Sequence, residues 1–345
     1  MAGESPRNQR NSGGLAQKVA LLKQPQTYPE QPARIEVVET HMSWVFLTDR
    51  HAYKLKKPVR YDFLDFTTLA ARAKNCMEEV RLNRRLARDV YLGVVPLTVD
   101  TQGRVHVGEQ GEIIDWLVKM RRLPAEYLLD QMIKAHTLQK TDIQRIALVL
   151  ATFYKDSPPL EINGEQYRVQ LERDVRNNLQ ELAEPSHALP NALVEQSHHA
   201  QLTLLRREPE LFEQRAVEER IVEGHGDLRP EHICLEPEPV IVDCLEFNRQ
   251  FRIVDPADEL AFLAMECEHL GAAFVQTILF QTYAQITSDS PPNRLVNFYK
   301  SYRACLRAKL AIWHTRELET AAWPKWRKLA SDYLLLAGEY GRQLP

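Results

Sequence analysis

The chain has 345 residues, 44% apolar and 26% charged, with 44 Lys and Arg against 47 Asp and Glu for a formal charge of −3. This is the balance of a globular protein with enough chain for two cores, and it lacks the strong positive charge of a general nucleic-acid binder. No run of about 18 apolar residues occurs, the N-terminus has no apolar signal-peptide core, and the five cysteines include no C-x-x-C pair. The expectation is a cytoplasmic chain with inert buried thiols and neither nucleic acid nor membrane as partner; oligomeric state is unknown at this level.

Residues 1–14 are small, polar and basic without periodicity, and are expected to be a disordered tail. A short amphipathic helix is expected over 15–22. Strands follow at Ile35–Thr40, Trp44–Leu47 and Ala52–Lys56, with connections short enough for an antiparallel sheet. Lys54 and Lys56 share one face of the third strand, placed either to reach a cleft or to solvate an edge. A helix over 68–88 carries Glu78 and Glu79, with Met77, Val80, Leu82 and Leu86 as its apolar stripe. Two more strands, Val94–Val99 and Ile113–Val118, lead to Lys119-Met120-Arg121-Arg122-Leu123-Pro124, an apolar strand end suited to lining a pocket.

Beyond Pro124 the chain reads as helical, at Leu128–Ala135, Thr141–Lys155, Gln166–Leu182 and a helix through Arg207 that carries His198 and His199. Adjacent histidines point to different helix faces, so the pair is read as surface. Between these helices and the last third lies residues 222–260, where His225-Gly226-Asp227 and Pro239-Val240-Ile241-Val242-Asp243 set two carboxylates at strand edges beside turns. Two carboxylates converging on one small volume suit phosphoryl transfer, one orienting a hydroxyl and the other holding a metal. Arg229 is either a planar fork for phosphate or a salt-bridge partner of Glu231. Glu266 and Glu268 fall on a helix expected over 259–271. Tyr302, Leu306 and Lys309 fall on one face of a later helix, with Arg303 and Arg307 on the next; acceptor-binding cations and a solvated face explain these equally well.

At His225-Gly226-Asp227 and Asp243-Cys244-Leu245-Glu246-Phe247-Asn248 the sequence resembles the aminoglycoside phosphotransferase-like branch of the protein-kinase-like superfamily, over approximately residues 34–316. The resemblance implies an α+β, two-lobed protein-kinase-like fold: an N-lobe over 15–119 with an antiparallel sheet plus helix, a hinge at 120–124, and a larger, mainly helical C-lobe over 125–345. It implies that Asp227 is the catalytic aspartate and Asp243 the magnesium ligand, with Glu246 beside the metal. Lys54 or Lys56, the latter preferred, would contact the phosphates of ATP and pair with Glu79, Glu78 being the fallback. Lys119, Met120 and Arg121 would lie at the adenine, Ser43 at the end of the glycine-free loop Thr40–Ser43 would contact phosphate, and Asp255 would brace the catalytic loop while Asp258 caps the next helix.

The sequence departs from the family where an asparagine usually stands, five positions after the catalytic aspartate; His232 takes that place in the metal set. A neutral imidazole is a poor magnesium ligand, so Glu231 or Glu246 is the alternative oxygen donor. The implied activity is a small-molecule kinase using ATP and Mg2+ to phosphorylate a hydroxyl of an unidentified acceptor. Two other readings stay open: a nucleotide- or partner-binding module without turnover, and a metal-dependent hydrolase built on His225, Asp227, His232 and Asp243.

Overall fold

The computed structural model describes residues 14–61, 64–317 and 320–344. Residues 1–13 of the expected disordered tail lie outside them. The chain divides into two compact units, one running to Pro124 and including Val240–Asn248, the other Ala125–Pro239 with Arg249–Pro345.

In the first unit, α1 (Leu15–Leu22) precedes β1 (Glu36–Glu39), β2 (Ser43–Leu47) and β3 (His51–Lys56). The short strands β4 (Arg60–Tyr61) and β5 (Leu64–Asp65) lead to α2 (Leu69–Asn83), then β6 (Tyr91–Val99), β7 (Val105–Val107) and β8 (Glu112–Arg121). Six strands form one sheet in the order β1-β2-β3-β8-β6-β7, each neighbouring pair antiparallel. The two-residue period sorts its side chains into two layers. Tyr53, Leu55 and Leu117 pack with Leu22, Tyr28 and Phe46, whereas Val118 and Met120 pack with Cys76 and Val80 of α2.

Thr68 caps α2 by accepting from the Ala71 N–H at 3.1 Å. Of the apolar stripe expected of the helix, Val80 and Leu82 are buried, whereas Met77 is 56% exposed. Arg72, Cys76, Glu79 and Asn83, spaced three and four apart, line its buried face together with Asn75, Val80 and Leu82, and Arg72, Glu79 and Asn83 each have a partner. Arg72 grips Asp115 of β8 with two bonds of 2.8 and 3.0 Å, and Lys18 of α1 donates to the same carboxylate at 2.8 Å. Asn83 accepts from the Cys244 N–H at 2.9 Å. The Ile241 N–H donates to the Leu86 carbonyl, and Val240 and Val242 enter the α2 layer, which is why Val240–Asn248 packs with the sheet rather than with the helices around it in sequence.

The second unit contains α3 (Leu129–Lys134), α4 (Lys140–Asp156), α5 (Gly164–Leu182), α6 (Asn191–Arg207), α7 (Glu210–Val217), α8 (Pro256–His269), α9 (Phe274–Thr287), α10 (Asn293–Glu317) and α11 (Trp323–Gly341). The two-residue strands Val222–Glu223 and Ile253–Val254 pair antiparallel and bring the loop after Val222 next to the start of α8. Three expectations change here. His198 is fully buried rather than on the surface; its Nδ1 lies 2.6 Å from the Val194 carbonyl, and burial pushes its pKa down. Asp255, not Asp258, caps α8 by accepting from the Ala257 N–H, because Pro256 fixes the first helical position. Arg303 and Arg307 are not a solvated face, for they pair with Asp258 and Glu266 of α8. All five thiols are buried, as their apolar neighbours suggest.

Candidate functional site

Five charged side chains meet in the first unit. β3 presents Lys54 and Lys56 on the α2 side of the sheet, α2 inserts Glu79, and the 240–248 segment supplies Asp243 and Glu246. Lys54 Nζ donates to Glu79 at 3.0 Å and to Asp243 at 2.6 Å. Lys56 Nζ donates to Glu79 at 2.5 Å and to Glu246 at 2.6 Å. Glu79 thus bridges both lysines, and Glu78 pairs instead with Arg81 on the outer face of α2. Glu79 and Lys56 are buried, whereas the Asp243 side chain is 47% exposed.

Burial alone would raise the Glu79 carboxyl, but Lys54 and Lys56 together hold it below the ordinary carboxylate range. The Glu246 carboxyl is raised, by burial first and then by Glu79 against the pull of Lys56. Burial works against the charge of Lys54, yet Asp243 and Glu79 hold its pKa well above the ordinary value. Asp243 has φ +63°, a left-handed conformation that a short polar side chain tolerates better than a branched one. The Tyr91 hydroxyl accepts from its N–H at 3.1 Å, and the Asn83 amide holds the next residue. Tyr91 and Asn83 went unnoticed in the sequence; the position of Asn83 one turn after Glu79 on the same face is the signal that marks it.

The other residues expected in this unit divide. Met120 lies in the same layer as Cys76 and Val118. Lys119 points to the opposite face of β8, with its Nζ 5.5 Å from the centre of the Tyr53 ring, because neighbours along a strand alternate. Arg121 follows the same alternation, and its N–H is used by the Val90 carbonyl at 2.8 Å. Ser43 pairs with Lys56 in the β2–β3 ladder and is buried, and its N–H donates to Thr40 Oγ1 at 3.0 Å. Thr40 therefore closes the glycine-free turn and occupies the Ser43 donor.

In the second unit the loop carrying Asp227 is held from below by Glu259 of α8. The fully buried Glu259 carboxylate accepts from the His225 N–H at 3.0 Å, from the Gly226 N–H and from the Tyr154 hydroxyl at 2.9 Å. Gly224 is required where this carboxylate passes, since a Cβ there would lie 2.3 Å from Glu259 Oε2, and Gly226 has φ +89°. The bracing role expected of Asp255 thus belongs to Glu259. Asp255 instead takes two bonds from Arg215, which also reaches Asp289.

Arg229 donates to Asp227 at 3.0 Å and pairs with Glu231 at 2.5 Å. Burial raises the Asp227 carboxyl, and Arg229 with His232 outweighs it, leaving the pKa below the ordinary range. His232 has its Nδ1 2.9 Å from the Asp227 carbonyl and its Nε2 3.2 Å from the Arg229 guanidinium.

No family model matches the chain. Proteins of Mycobacterium tuberculosis and Mycobacterium bovis, each described as uncharacterised, are 34% identical over 281 residues, covering 80% of this chain and 54% of each relative. The chain therefore spans about half the length of the curated relatives it matches. Among solved structures, the apo form of a thermostable mutant of aminoglycoside phosphotransferase APH(4)-Ia matches 90% of this chain and 94% of its own, with a TM-score of 0.52 at 10% identity. The fold is that of the aminoglycoside phosphotransferases. A choline/ethanolamine kinase family protein from Mesorhizobium loti gives a TM-score of 0.49 at 14% identity, over 94% of this chain and 99% of that one.

The phosphotransferase fold raises the question of magnesium, and the donors answer it unevenly. Asp243 is a hard oxygen ligand and half exposed, which fits an ion that keeps waters and ligand phosphates in its shell. Glu246 is of the right chemistry but committed to Lys56 and 8% exposed. His232 does not fit, because both ring nitrogens are engaged and nitrogen is the wrong donor. Among the described residues no group of three or more His, Cys, Asp and Glu is arranged for a metal. Among the same residues no helix is long and apolar enough to cross a membrane.

Proposed function

We propose that the chain is a small-molecule kinase that moves the γ-phosphoryl group of ATP to a hydroxyl, with magnesium as cofactor. The observation that carries this reading is the bridge from Lys54 to both Glu79 and Asp243. It places a lysine, the helix carboxylate that orients it and a half-exposed aspartate together, as phosphate binding requires. Lys54 is the better phosphate ligand of the two lysines, since Lys56 is 1% exposed and tied to two buried carboxylates. Met120 would pack against the nucleotide base, and Lys119 and Arg121 would contribute backbone only.

A bound magnesium ion would neutralise charge developing between the transferred phosphoryl group and the leaving diphosphate. Asp227 would accept a hydrogen bond from the acceptor hydroxyl and take its proton. Its carboxylate is a weak base while Arg229 is beside it, so its first task is to orient the hydroxyl, and proton removal comes late. Arg229, already fixed by Asp227 and Glu231, would meet phosphate oxygens from one side.

A thermal-shift experiment tests this. ATP should raise the melting temperature, since a ligand at about 100 times its Kd adds about 2.7 kcal/mol. Magnesium should add a further shift that Asp243→Asn loses while keeping the shift due to ATP. If ATP stabilises neither protein, the reading fails. The engaged imidazole of His232 favours one alternative, a nucleotide-binding module without turnover; ATP stabilisation with no ATP consumption across a panel of alcohols and amino sugars would select it.

A further inference from the structure

A cavity of about 790 Å3 opens in the second unit, with walls from α5, the 184–187 segment after it, α10 and the start of α11. It is not on the Asp227 side of α10. Arg303 and Arg307, one turn apart, face α8 and pair with Asp258 and Glu266, and Arg307 is near enough to act on Asp227. At roughly 100° per residue, Lys309, Trp313 and Arg316 lie on the far side of the same helix, and these three line the cavity.

The charges around this cavity are unequal. Arg316 and His187 both pair with Glu181, and elsewhere in the unit Arg215, Lys300, Arg303 and Arg307 all meet carboxylates. Lys309 does not. It is half-buried, its Nζ lies 5.4 Å from the centre of the Trp313 ring, and it has no ion pair or hydrogen-bond acceptor among the described residues. Its nearest acids, Asp174 and Glu181, act on it only at a distance, and burial pushes its pKa down. An ammonium partly shielded from water and facing a cavity without an oxygen partner of its own is matched to a ligand that brings one.

We propose that this cavity binds a small planar anion, an aromatic monocarboxylate, with the carboxylate on Lys309 and the ring against Trp313 and Trp323. Lys309, Arg316 and Arg327 set three cations in the lining against the carboxylates of Glu181 and Glu184, a net of one positive charge that matches one negative charge and that a phosphate dianion would exceed. Two indoles supply flat apolar walls, the amides of Asn177 and Gln180 supply polar contacts, and the volume lies within the range of small-molecule sites. The site does not depend on the phosphotransferase reading, since it lies across α10 from Asp227.

The test is calorimetric titration of the full chain with 2-naphthoate and with its neutral analogue 2-naphthamide, followed in parallel by tryptophan fluorescence. Naphthoate should bind saturably, and Lys309→Gln should weaken it about tenfold or more, the loss of one charge-assisted bond, while naphthamide binds both proteins alike. ATP with magnesium should leave naphthoate binding unchanged. No saturable naphthoate binding, equal affinity in Lys309→Gln, or displacement by ATP would each overturn the proposal. If Lys309→Gln does not fold, the wild type decides: equal affinities for naphthoate and naphthamide overturn it, and a naphthoate preference that survives with weaker overall binding in Trp313→Leu supports it. Loss of the ATP thermal shift would sink the kinase reading and leave this result untouched.

Discussion

Asp243 and Asp227 both stand on short loops clamped through main-chain N–H groups, but the Asp243 carboxylate joins a cluster of five charges whereas the Asp227 carboxylate is bonded to the Arg229 guanidinium. Around Asp243 the ties are the Lys54 ammonium, the Tyr91 hydroxyl and the Asn83 amide. Around Asp227 the ties run from the main-chain N–H groups of His225 and Gly226 to the buried Glu259 carboxylate. A backbone clamp fixes where the aspartate stands whatever happens to the charges near it. A cluster in which two lysines face three carboxylates instead carries an excess of negative charge, and its geometry answers to any cation or phosphate that enters.

The comparison is broken most severely at Glu259. Glu259→Ala strands two buried N–H groups and the Tyr154 hydroxyl, and should cost about 3 kcal/mol or more in urea unfolding. A cost below about 1 kcal/mol would mean that the loop holds itself. Glu79→Gln comes next: it keeps the shape and levels the charge at two lysines against two carboxylates. It should cost about 2 kcal/mol and shrink the magnesium-dependent thermal shift; an undiminished shift would show that Glu79 does not set the cluster's affinity for a cation.

The smallest effect is expected from acid. The native Asp227 carboxyl titrates below the ordinary range, so its contribution to stability is complete above the unfolded value near 4 and fades as pH falls through the lower native value. Urea midpoints between about pH 3 and 6 should therefore fall less steeply for Asp227→Asn than for the wild type. Parallel curves would remove Arg229 as the group that holds the carboxyl down.

The strands, the α2 glutamate and both loop aspartates were legible in the sequence, because period-two alternation and Gly-Asp turns are local signals. The partners of those residues were not. Glu259 meets His225 from 34 residues away, and nothing at either position announces the other. Asp255 as helix cap was legible, since an aspartate directly before proline is a start signal, and the neighbouring Asp258 obscured it. Met77 and His198 were misplaced for one shared reason: helical spacing shows that a face exists, whereas the docking of α2 on β6 and β8, and of α6 among its neighbours, decides which face is covered. Lys119 and Arg121 were grouped with Met120 by adjacency, and strand alternation separates them.

The ionic cluster also has a history on the ribosome. Lys54 and Lys56 are 189 and 190 residues ahead of Asp243 and Glu246. At about 5–20 residues per second, two of the cluster's three carboxylates are translated roughly 10–40 s after its lysines. Until then a nascent first unit has Glu79 as the only member of its acidic set, and its sheet presents a partly uncovered α2 layer that Val240 and Val242 will fill. Translation pauses between codons 124 and 248 should therefore lengthen the interval in which chaperones recognise this chain.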